Sequence, residues 1–181
     1  MASAIGFCLF DTAIGSCGLA WSDRGIAGAQ LPEANQEATR ARMQRRYPGV
    51  PLAQPPASVQ SVAMRVSALL EGNPDSLVDV VLDMDGVPDF QQRVYRVTRA
   101  IAPGRTLTYG DVADQLGEPG AARAVGQALG HNPFAPIVPC HRVLAARSGG
   151  GGFSAEGGVA TKLRMLQIEK AQLGRERGLF D

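Results

Sequence analysis

The stretch YGDVADQLGEPGAARAVGQAL, residues 109–129, has the pattern of two short helices joined by a tight turn. Small and apolar residues flank the run Gly117-Glu118-Pro119-Gly120, whose composition favours a turn. We therefore predict helices over residues 111–116 and 121–129. Helix, turn and second helix form the helix-turn-helix arrangement, whose second helix usually meets nucleic acid. The arrangement also occurs in proteins that never bind DNA, so on its own it leaves nucleic-acid binding open.

Downstream of this stretch a cysteine and a histidine are adjacent, in Pro139-Cys140-His141-Arg142. The apolar run over residues 134–138 is expected to carry them into the interior. A thiol with a pKa near ~8.5 becomes a nucleophile when a histidine or another cation favours the thiolate. Neighbours in a strand point to opposite faces, so a productive contact requires a turn or a bridging water. The alternative is a buried structural cysteine, because free cysteine is among the most buried residue types.

The N-terminal part of the chain favours strands, because short apolar segments alternate with turn residues. These segments predict an antiparallel meander over residues 5–10, 17–21 and 26–31. Asn35 is a candidate N-cap for a helix over residues 36–46. Four arginines of that helix are predicted to form a solvated face, with contact to DNA as the alternative: Arg40, Arg42, Arg45 and Arg46.

Helical spacing of apolar positions predicts further helices over residues 58–70, 89–102 and 159–171, and residues 77–82 are a candidate strand. Acidic residues, glycine and proline cluster at residues 83–88 and mark a predicted domain boundary. We divide the chain into an N-terminal domain, a C-terminal domain and a tail, over residues 1–85, 86–174 and 175–181. The glycine-rich run over residues 148–154 is either a linker or a close approach of backbone to a ligand.

Composition and charge are those of a folded protein with no extreme feature. The 181 residues are 45% hydrophobic and carry a net charge of +1. Residues 1–85 hold six basic and nine acidic side chains, whereas residues 86–181 hold twelve basic and eight acidic ones. This asymmetry fits a C-terminal part that meets a polyanion, and equally fits ordinary variation between two domains. Sparse cysteines, and no apolar run near the ~18 residues of a membrane span, lead us to expect a cytoplasmic protein.

Several ordered motifs between residues 90 and 170 carry a family resemblance. They are FQQRVY at 90–95, PGRTLTYG at 103–110, ARAVGQA at 122–128, IVPCHRV at 137–143, and Lys162, Leu166 and Glu169 near the end. In this order they closely resemble the O6-alkylguanine-DNA alkyltransferases, also called methylated-DNA-protein-cysteine methyltransferases. The N-terminal part resembles that family only loosely, through its meander and helices.

The resemblance implies a DNA repair protein that moves an alkyl group, such as methyl, from O6 of guanine to Cys140 in one irreversible turnover. It implies an α+β fold, in which an N-terminal α/β domain of ribonuclease-H-like type packs on an all-helical, winged helix-turn-helix C-terminal domain. The implied partner is double-stranded DNA containing O6-alkylguanine, with O4-alkylthymine left open, and the protein is expected to act as a monomer without a cofactor.

The resemblance also assigns roles to individual residues. His141 would take the Cys140 proton through a water, and Glu169 would hold the imidazole. Arg123 would be the arginine finger that fills the space left by a flipped nucleotide. Tyr109 would lie beside that nucleotide, and Asn132 would brace the turn around the site. The remaining implied residues are Thr108, Ala122, Ala124 and Gly126 on the DNA side, and Val143, Leu144, Phe153 and Ser154 around the base.

The residues alone favour simpler interpretations for several of these positions. Tyr109 reads as a half-buried core phenol, Arg123 as an exposed arginine and Glu169 as a surface glutamate. The chain also departs from the family pattern, since Phe153 stands where many members have tyrosine. We predict no structural zinc site, because Cys8 and Cys17 have no histidine near them and zinc sites of that kind need about four ligands.

Two other functions remain compatible with the same residues. An alkyltransferase-like protein would bind the lesion without transferring the alkyl group, although such relatives usually replace the cysteine that this chain keeps at Cys140. A multiple-turnover cysteine hydrolase would use the same Cys, His and Glu set, and the predicted helix-turn-helix and arginine finger disfavour it.

Overall fold

The computed structural model describes residues 3–146 and 158–172 and opens with an antiparallel sheet. Its strands are β1 (Gly6–Thr12), β2 (Gly15–Ser22) and β3 (Gly25–Gln30), paired in the order β1-β2-β3. The predicted meander is confirmed. Gly15 and Gly25 begin their strands at φ of 126° and 139°, a backbone region that disfavours other residues, so glycine permits both tight turns.

Two helices, α1 (Gln36–Arg46) and α2 (Ala57–Leu70), cover the two faces of this sheet. Phe7 of β1 packs with Met43 of α1, whereas its neighbour Cys8 lies in the larger core cluster that contains Val62 of α2. Alternate residues of a strand face opposite sides, which explains the division. The predicted cap is confirmed, because the Asn35 side chain accepts a hydrogen bond from the Ala38 amide at 2.9 Å.

The strand predicted over residues 77–82 is wrong. Only Leu82 pairs with the sheet, through a single parallel bridge to Ile26, and the preceding residues form turns. Leu77 has a φ of 54°, and the Arg99 guanidinium donates to the carbonyls of Leu77 and Val80 at 2.8 and 2.7 Å. Because an arginine from a distant helix satisfies these carbonyls, the segment does not need a strand partner.

The second half is mainly helical: α3 (Asp89–Arg99), α4 (Tyr109–Gln115), α5 (Ala122–Gly130) and α6 (Val159–Ile168). Helices α4 and α5 are the predicted helix-turn-helix pair. Two short strands, β4 (Leu107–Thr108) and β5 (Val143–Leu144), pair in parallel and add a small sheet to the part expected to be all-helical. The α+β fold class is as predicted.

One buried cluster connects the two halves of the chain. It contains Leu19 of the sheet and Val94 of α3. Because the two halves share this core, the division into two domains at residue 85 stays a prediction. Cys8 and Cys17 lie in β1 and β2, as expected for strand residues. In the part of the chain that the structure describes, no helix is long and apolar enough to cross a membrane.

Candidate active site

Cys140 begins a 3₁₀ turn, Cys140–Arg142, rather than continuing an extended segment. The Cys140 amide donates to the Val138 carbonyl at 2.8 Å, which starts the turn. Cys140 is 8% exposed, so the residue that carries the thiol is buried. The turn removes the difficulty that a strand would have posed, since adjacent residues no longer point to opposite faces.

A buried ionic cluster lies behind this turn. Glu169, the residue that ends α6, accepts hydrogen bonds from His141 Nε2 at 2.8 Å and from Arg142 at 2.7 and 3.0 Å. Burial by itself would raise the pKa of Glu169, but the hydrogen bonds from His141 and Arg142 outweigh it and lower that pKa to about 2. Glu169 is therefore a carboxylate at neutral pH. It can only accept, which assigns the proton of the imidazole to Nε2.

His141 is consequently a neutral base with its second nitrogen available. Burial lowers the pKa of His141, and the hydrogen bond with Glu169 opposes that shift only in part. Its Nδ1 is buried and has no hydrogen-bond partner among residues 3–146 and 158–172. A deprotonated imidazole nitrogen, oriented by a carboxylate on the other side of the ring, is the arrangement of a general base.

The Cys140 thiol is influenced by two further side chains. Burial raises the pKa of Cys140, while a hydrogen bond with the Asn132 side chain and the positive charge of Lys162 oppose the rise. Lys162 is 1% exposed, and its Nζ donates to the Val143 carbonyl at 2.7 Å. A buried ammonium near the sulfur stabilises the thiolate once it forms.

Asn132 lies at the turn that follows α5 and connects three parts of the site. Its Nδ2 donates to the Val138 carbonyl at 2.8 Å, and its Oδ1 accepts from the Phe134 amide at 2.9 Å. Both contacts fix the turn that leads to Cys140. The side chain that contacts the thiol is thus itself held at both ends.

Helix α5 presents a narrow exposed face to solvent. Arg123 and Ala124 are exposed, Ala122 and Gly126 are partly exposed, and Val125 packs into the core. The Tyr95 hydroxyl donates to the Ala128 carbonyl at 2.8 Å and ties α5 to α3. Small residues beside one long cationic side chain allow another surface to approach this helix closely.

Tyr109, the first residue of α4, lies near the active-site residues, and Thr108 caps the same helix. Thr108 caps α4 through a reciprocal pair of hydrogen bonds with Asp111, at 2.8 and 3.0 Å. Tyr109 is partly buried, and its ring centroid lies 6.0 Å from Lys162 Nζ. Burial raises the pKa of Tyr109, and the neighbouring Cys140 raises it further, so its hydroxyl keeps its proton at neutral pH and can donate it to a hydrogen bond.

Comparison with known proteins agrees with this geometry. A family model described as 6-O-methylguanine DNA methyltransferase, DNA binding domain, matches residues 89–171. The methylated-DNA–protein-cysteine methyltransferase of Methanothermobacter thermautotrophicus is 31% identical over 156 residues, which cover 86% of this chain and 80% of that protein. The chain belongs to the 6-O-methylguanine DNA methyltransferase family.

Two further members of this methyltransferase family are similar to the chain over different lengths. The methylated-DNA–protein-cysteine methyltransferase of Mycobacterium bovis is 50% identical over 103 residues, which span 57% of this chain and 61% of that relative. The crystal structure of Mycobacterium tuberculosis OGT in complex with DNA matches with a TM-score of 0.73 and 36% identity, covering 92% of this chain and 93% of that one.

At this candidate site the structure brings together most of the predicted residues. Cys140, His141, Glu169 and Asn132 form one connected group. Val143 and Leu144 form β5, and Val143 is buried. Phe153 and Ser154, predicted at the base pocket, lie outside the described residues, as does the rest of the glycine-rich run.

Arg142 is a part of the site that the sequence interpretation missed. Arg142 is 1% exposed and donates to Glu169 as well as to the Ile101 carbonyl, the latter at 2.8 Å. One signal was available. An arginine at the end of an apolar run requires a buried counter-charge, because an unpaired buried charge is costly.

Proposed function

We propose that this protein repairs O6-alkylguanine in DNA by transferring the alkyl group, in a single irreversible turnover, to the sulfur of Cys140. One observation carries the proposal: the buried Cys140 directly precedes His141, a neutral imidazole whose Nε2 donates to the ionised Glu169 and whose Nδ1 is left without a partner among the described residues. Family membership supports the same reaction, since the relatives named above are methylated-DNA–protein-cysteine methyltransferases.

The first step is the extrusion of the damaged nucleotide from the duplex. The O6 substituent lies within the base stack, so a buried thiol reaches it only after the nucleotide has turned out, which costs a few kcal/mol. Arg123 on the exposed face of α5 is the side chain proposed to occupy the vacated space. Ala122, Ala124 and Gly126 allow the helix to approach, and Thr108 belongs to the same DNA-facing surface.

Proton removal from Cys140 comes next. His141 Nδ1 accepts the thiol proton through a bridging water, and Glu169 stabilises the resulting imidazolium. The charge of Lys162 stabilises the thiolate. The partly exposed Asn132 keeps the sulfur in position.

The alkyl group then moves from O6 of guanine to the sulfur of Cys140 in one displacement. The sulfur–carbon bond forms as the bond between carbon and O6 breaks, and the electron pair of the broken bond remains on guanine. Tyr109 donates a hydrogen bond to the purine as negative charge develops there. The base then takes up one proton at N1 and His141 loses the proton that it took from Cys140, so that neutral guanine and a neutral imidazole remain. A thioether does not hydrolyse under physiological conditions, so Cys140 is not regenerated.

The base is proposed to lie against the main chain of Val143 and Leu144, with Phe153 and Ser154 completing the pocket. We place the reaction in the cytoplasm, since Cys8, Cys17 and Cys140 are free thiols and free thiols persist in a reducing compartment.

A titration tests the single-turnover proposal. Increasing amounts of an O6-methylguanine duplex are added to a fixed amount of protein, and repaired guanine is counted. We expect a plateau at one repaired base per protein molecule. Continued turnover beyond the plateau would point to a hydrolase, whereas tight binding of the lesion without any repair would point to a lesion-binding protein. The Cys140→Ser variant is the matched control and should repair nothing.

A further inference from the structure

Arg46, the last residue of α1, connects the N-terminal sheet to the active-site turn. One terminal nitrogen donates to the Ala29 carbonyl at 2.7 Å and to Gln30 Oε1 at 3.0 Å. The other donates to the Pro133 carbonyl at 3.1 Å, across 87 residues of sequence. The solvated position expected for Arg46 is therefore wrong. Its guanidinium is partly buried and donates hydrogen bonds to both halves of the chain.

The surroundings of Arg46 are shaped to hold this guanidinium. The Tyr47 hydroxyl accepts a hydrogen bond from it at 3.1 Å, and the guanidinium carbon lies 5.2 Å from the centroid of the Tyr47 ring. Gly28 makes the approach possible. A Cβ at that position would lie 1.8 Å from the Tyr47 hydroxyl oxygen and 2.9 Å from the Arg46 nitrogen.

Pro133 is the point where this contact meets the site. Its carbonyl accepts a second hydrogen bond from the Ala29 amide at 2.8 Å, so the N-terminal half holds it with two donors. Pro133 directly follows Asn132, whose side chain contacts the Cys140 thiol and the Val138 carbonyl. A displaced Pro133 carbonyl would therefore move the asparagine that contacts the sulfur.

We infer that Arg46 is a positioning residue, which holds the turn over residues 132–134 so that the Asn132 side chain faces the Cys140 thiol. The inference gives the N-terminal half a part in the chemistry although it contributes no reacting atom. Two experiments test it. The first, called the thiol arm, measures the reactivity of Cys140 and does not depend on the proposed function, whereas the second, the activity arm, measures DNA repair and rests on that function.

The thiol arm uses iodoacetamide and the folded full-length chain. The labelling rate of each cysteine is measured by peptide mass against pH, in the wild type, in Arg46→Met and in Arg45→Met. Methionine keeps much of the length of the side chain and removes the donors, and Arg45 is an exposed neighbour with the same charge. We expect Arg46→Met to slow Cys140 labelling at neutral pH by roughly three- to tenfold and to move its midpoint to higher pH. Arg45→Met should match the wild type.

Cys8 and Cys17 serve as internal controls for general loosening. Both are buried in the sheet that Arg46 contacts. Unchanged labelling of these two residues with slower labelling of Cys140 supports the inference. Faster labelling of all three cysteines, or no change at Cys140, would overturn it and reduce Arg46 to a stabilising contact.

The activity arm uses single-turnover repair of the O6-methylguanine duplex, in which amplitude counts competent molecules and rate reports their reactivity. We expect Arg46→Met to keep the wild-type amplitude and the wild-type Kd for the duplex while its rate falls by roughly three- to tenfold. Arg46→Lys should recover part of the rate, because an ammonium can reach one carbonyl but not both. A reduced amplitude with an unchanged rate would contradict the inference. Failure of the wild type to repair would instead contradict the proposed function, and the thiol arm would still decide the inference.

Discussion

The Cys140–His141–Glu169 cluster and the exposed face of α5 differ in whether the protein itself supplies partners for their charged side chains. In the cluster, Glu169 is paired with Arg142 and with the His141 ring, and all three side chains are nearly inaccessible to solvent. On α5, Arg123 points from a helix of small residues into solvent. The cluster is thus organised before any substrate arrives, whereas the α5 face gains its contacts only with a partner. Changes in the cluster should affect chemistry, and changes on α5 should affect DNA.

The largest effect is expected from Glu169→Gln. The amide no longer provides the charge that stabilises protonated His141, and it leaves the buried Arg142 without a counter-charge. We expect the single-turnover transfer rate to fall by about 100- to 1000-fold, with the Kd for lesion DNA unchanged. Rapid-quench kinetics measures the rate. Glu71→Gln, an exposed residue at the end of α2, is the matched control, and an equal loss in both variants would remove the role of Glu169.

Acid should destabilise the cluster before it affects the α5 face. The folded pKa of Glu169, about 2, lies below its ordinary value of 4.5, so its contribution to stability is present above about pH 4.5 and is lost as the pH falls towards 2. The shift corresponds to about 3 kcal/mol. His141 acts in the same direction. Burial lowers its pKa, so the unfolded state gains protons first as the pH falls below about 6.5.

Urea denaturation at a series of pH values measures this loss. The free energy of unfolding should fall between pH 6.5 and pH 2 in the wild type. The fall below pH 4.5 should be smaller in Glu169→Gln, where Asp75 and Asp83, whose pKa values are also lowered, still contribute. Parallel curves for the two proteins would show that other groups govern the acid response.

Arg123→Ala tests the other region. Loss of the finger should reduce the transfer rate on duplex DNA by roughly 10- to 50-fold, since the cost of unstacking is no longer offset. Reaction with free O6-methylguanine base, which needs no flipping, should be unchanged. Arg45→Ala controls for the loss of one positive charge. Equal losses on duplex and free base would remove the finger role from Arg123.

The smallest expected effect is that of salt on the affinity for duplex DNA. This effect should again distinguish the α5 face from the Cys140–His141–Glu169 cluster. Binding to duplex DNA is expected to weaken gradually with salt, because few basic residues are available for phosphate contacts. Arg123→Ala should lower the slope of log K against log salt by about one, because it removes one positive charge from the surface proposed to bind DNA. Glu169→Gln should leave that slope unchanged. Fluorescence anisotropy at several salt concentrations measures both.

Local patterns predicted most of the fold. The bounds of α1 follow from the Asn35 cap, and the turn glycines fix the meander and the helix-turn-helix. The errors arose where a distant side chain decided the outcome. Residues 77–82 form a short apolar run like that of a strand, but Arg99 donates to the carbonyls of Leu77 and Val80. Arg46 lies in a helix rich in exposed arginines, yet its partner Pro133 is 87 residues away.

The site was predictable to a similar degree. Cys140 and His141 are adjacent in the chain, so their chemistry can be inferred locally. Glu169 lies 28 residues from His141, and no spacing rule connects them; only the family resemblance nominated it. The buried positions of Arg142 and Lys162 depend on how α6 packs against the 3₁₀ turn, which no local pattern encodes.

The central claim is that Cys140 becomes the final acceptor of the alkyl group. The most direct test is mass spectrometry of the peptides from protein incubated with an O6-methylguanine duplex. We expect the Cys140 peptide to gain the mass of one methyl group, the Cys8 and Cys17 peptides to remain unmodified, and the DNA to recover guanine. An unmodified Cys140 peptide with the lesion still present, or with the lesion repaired, would contradict it.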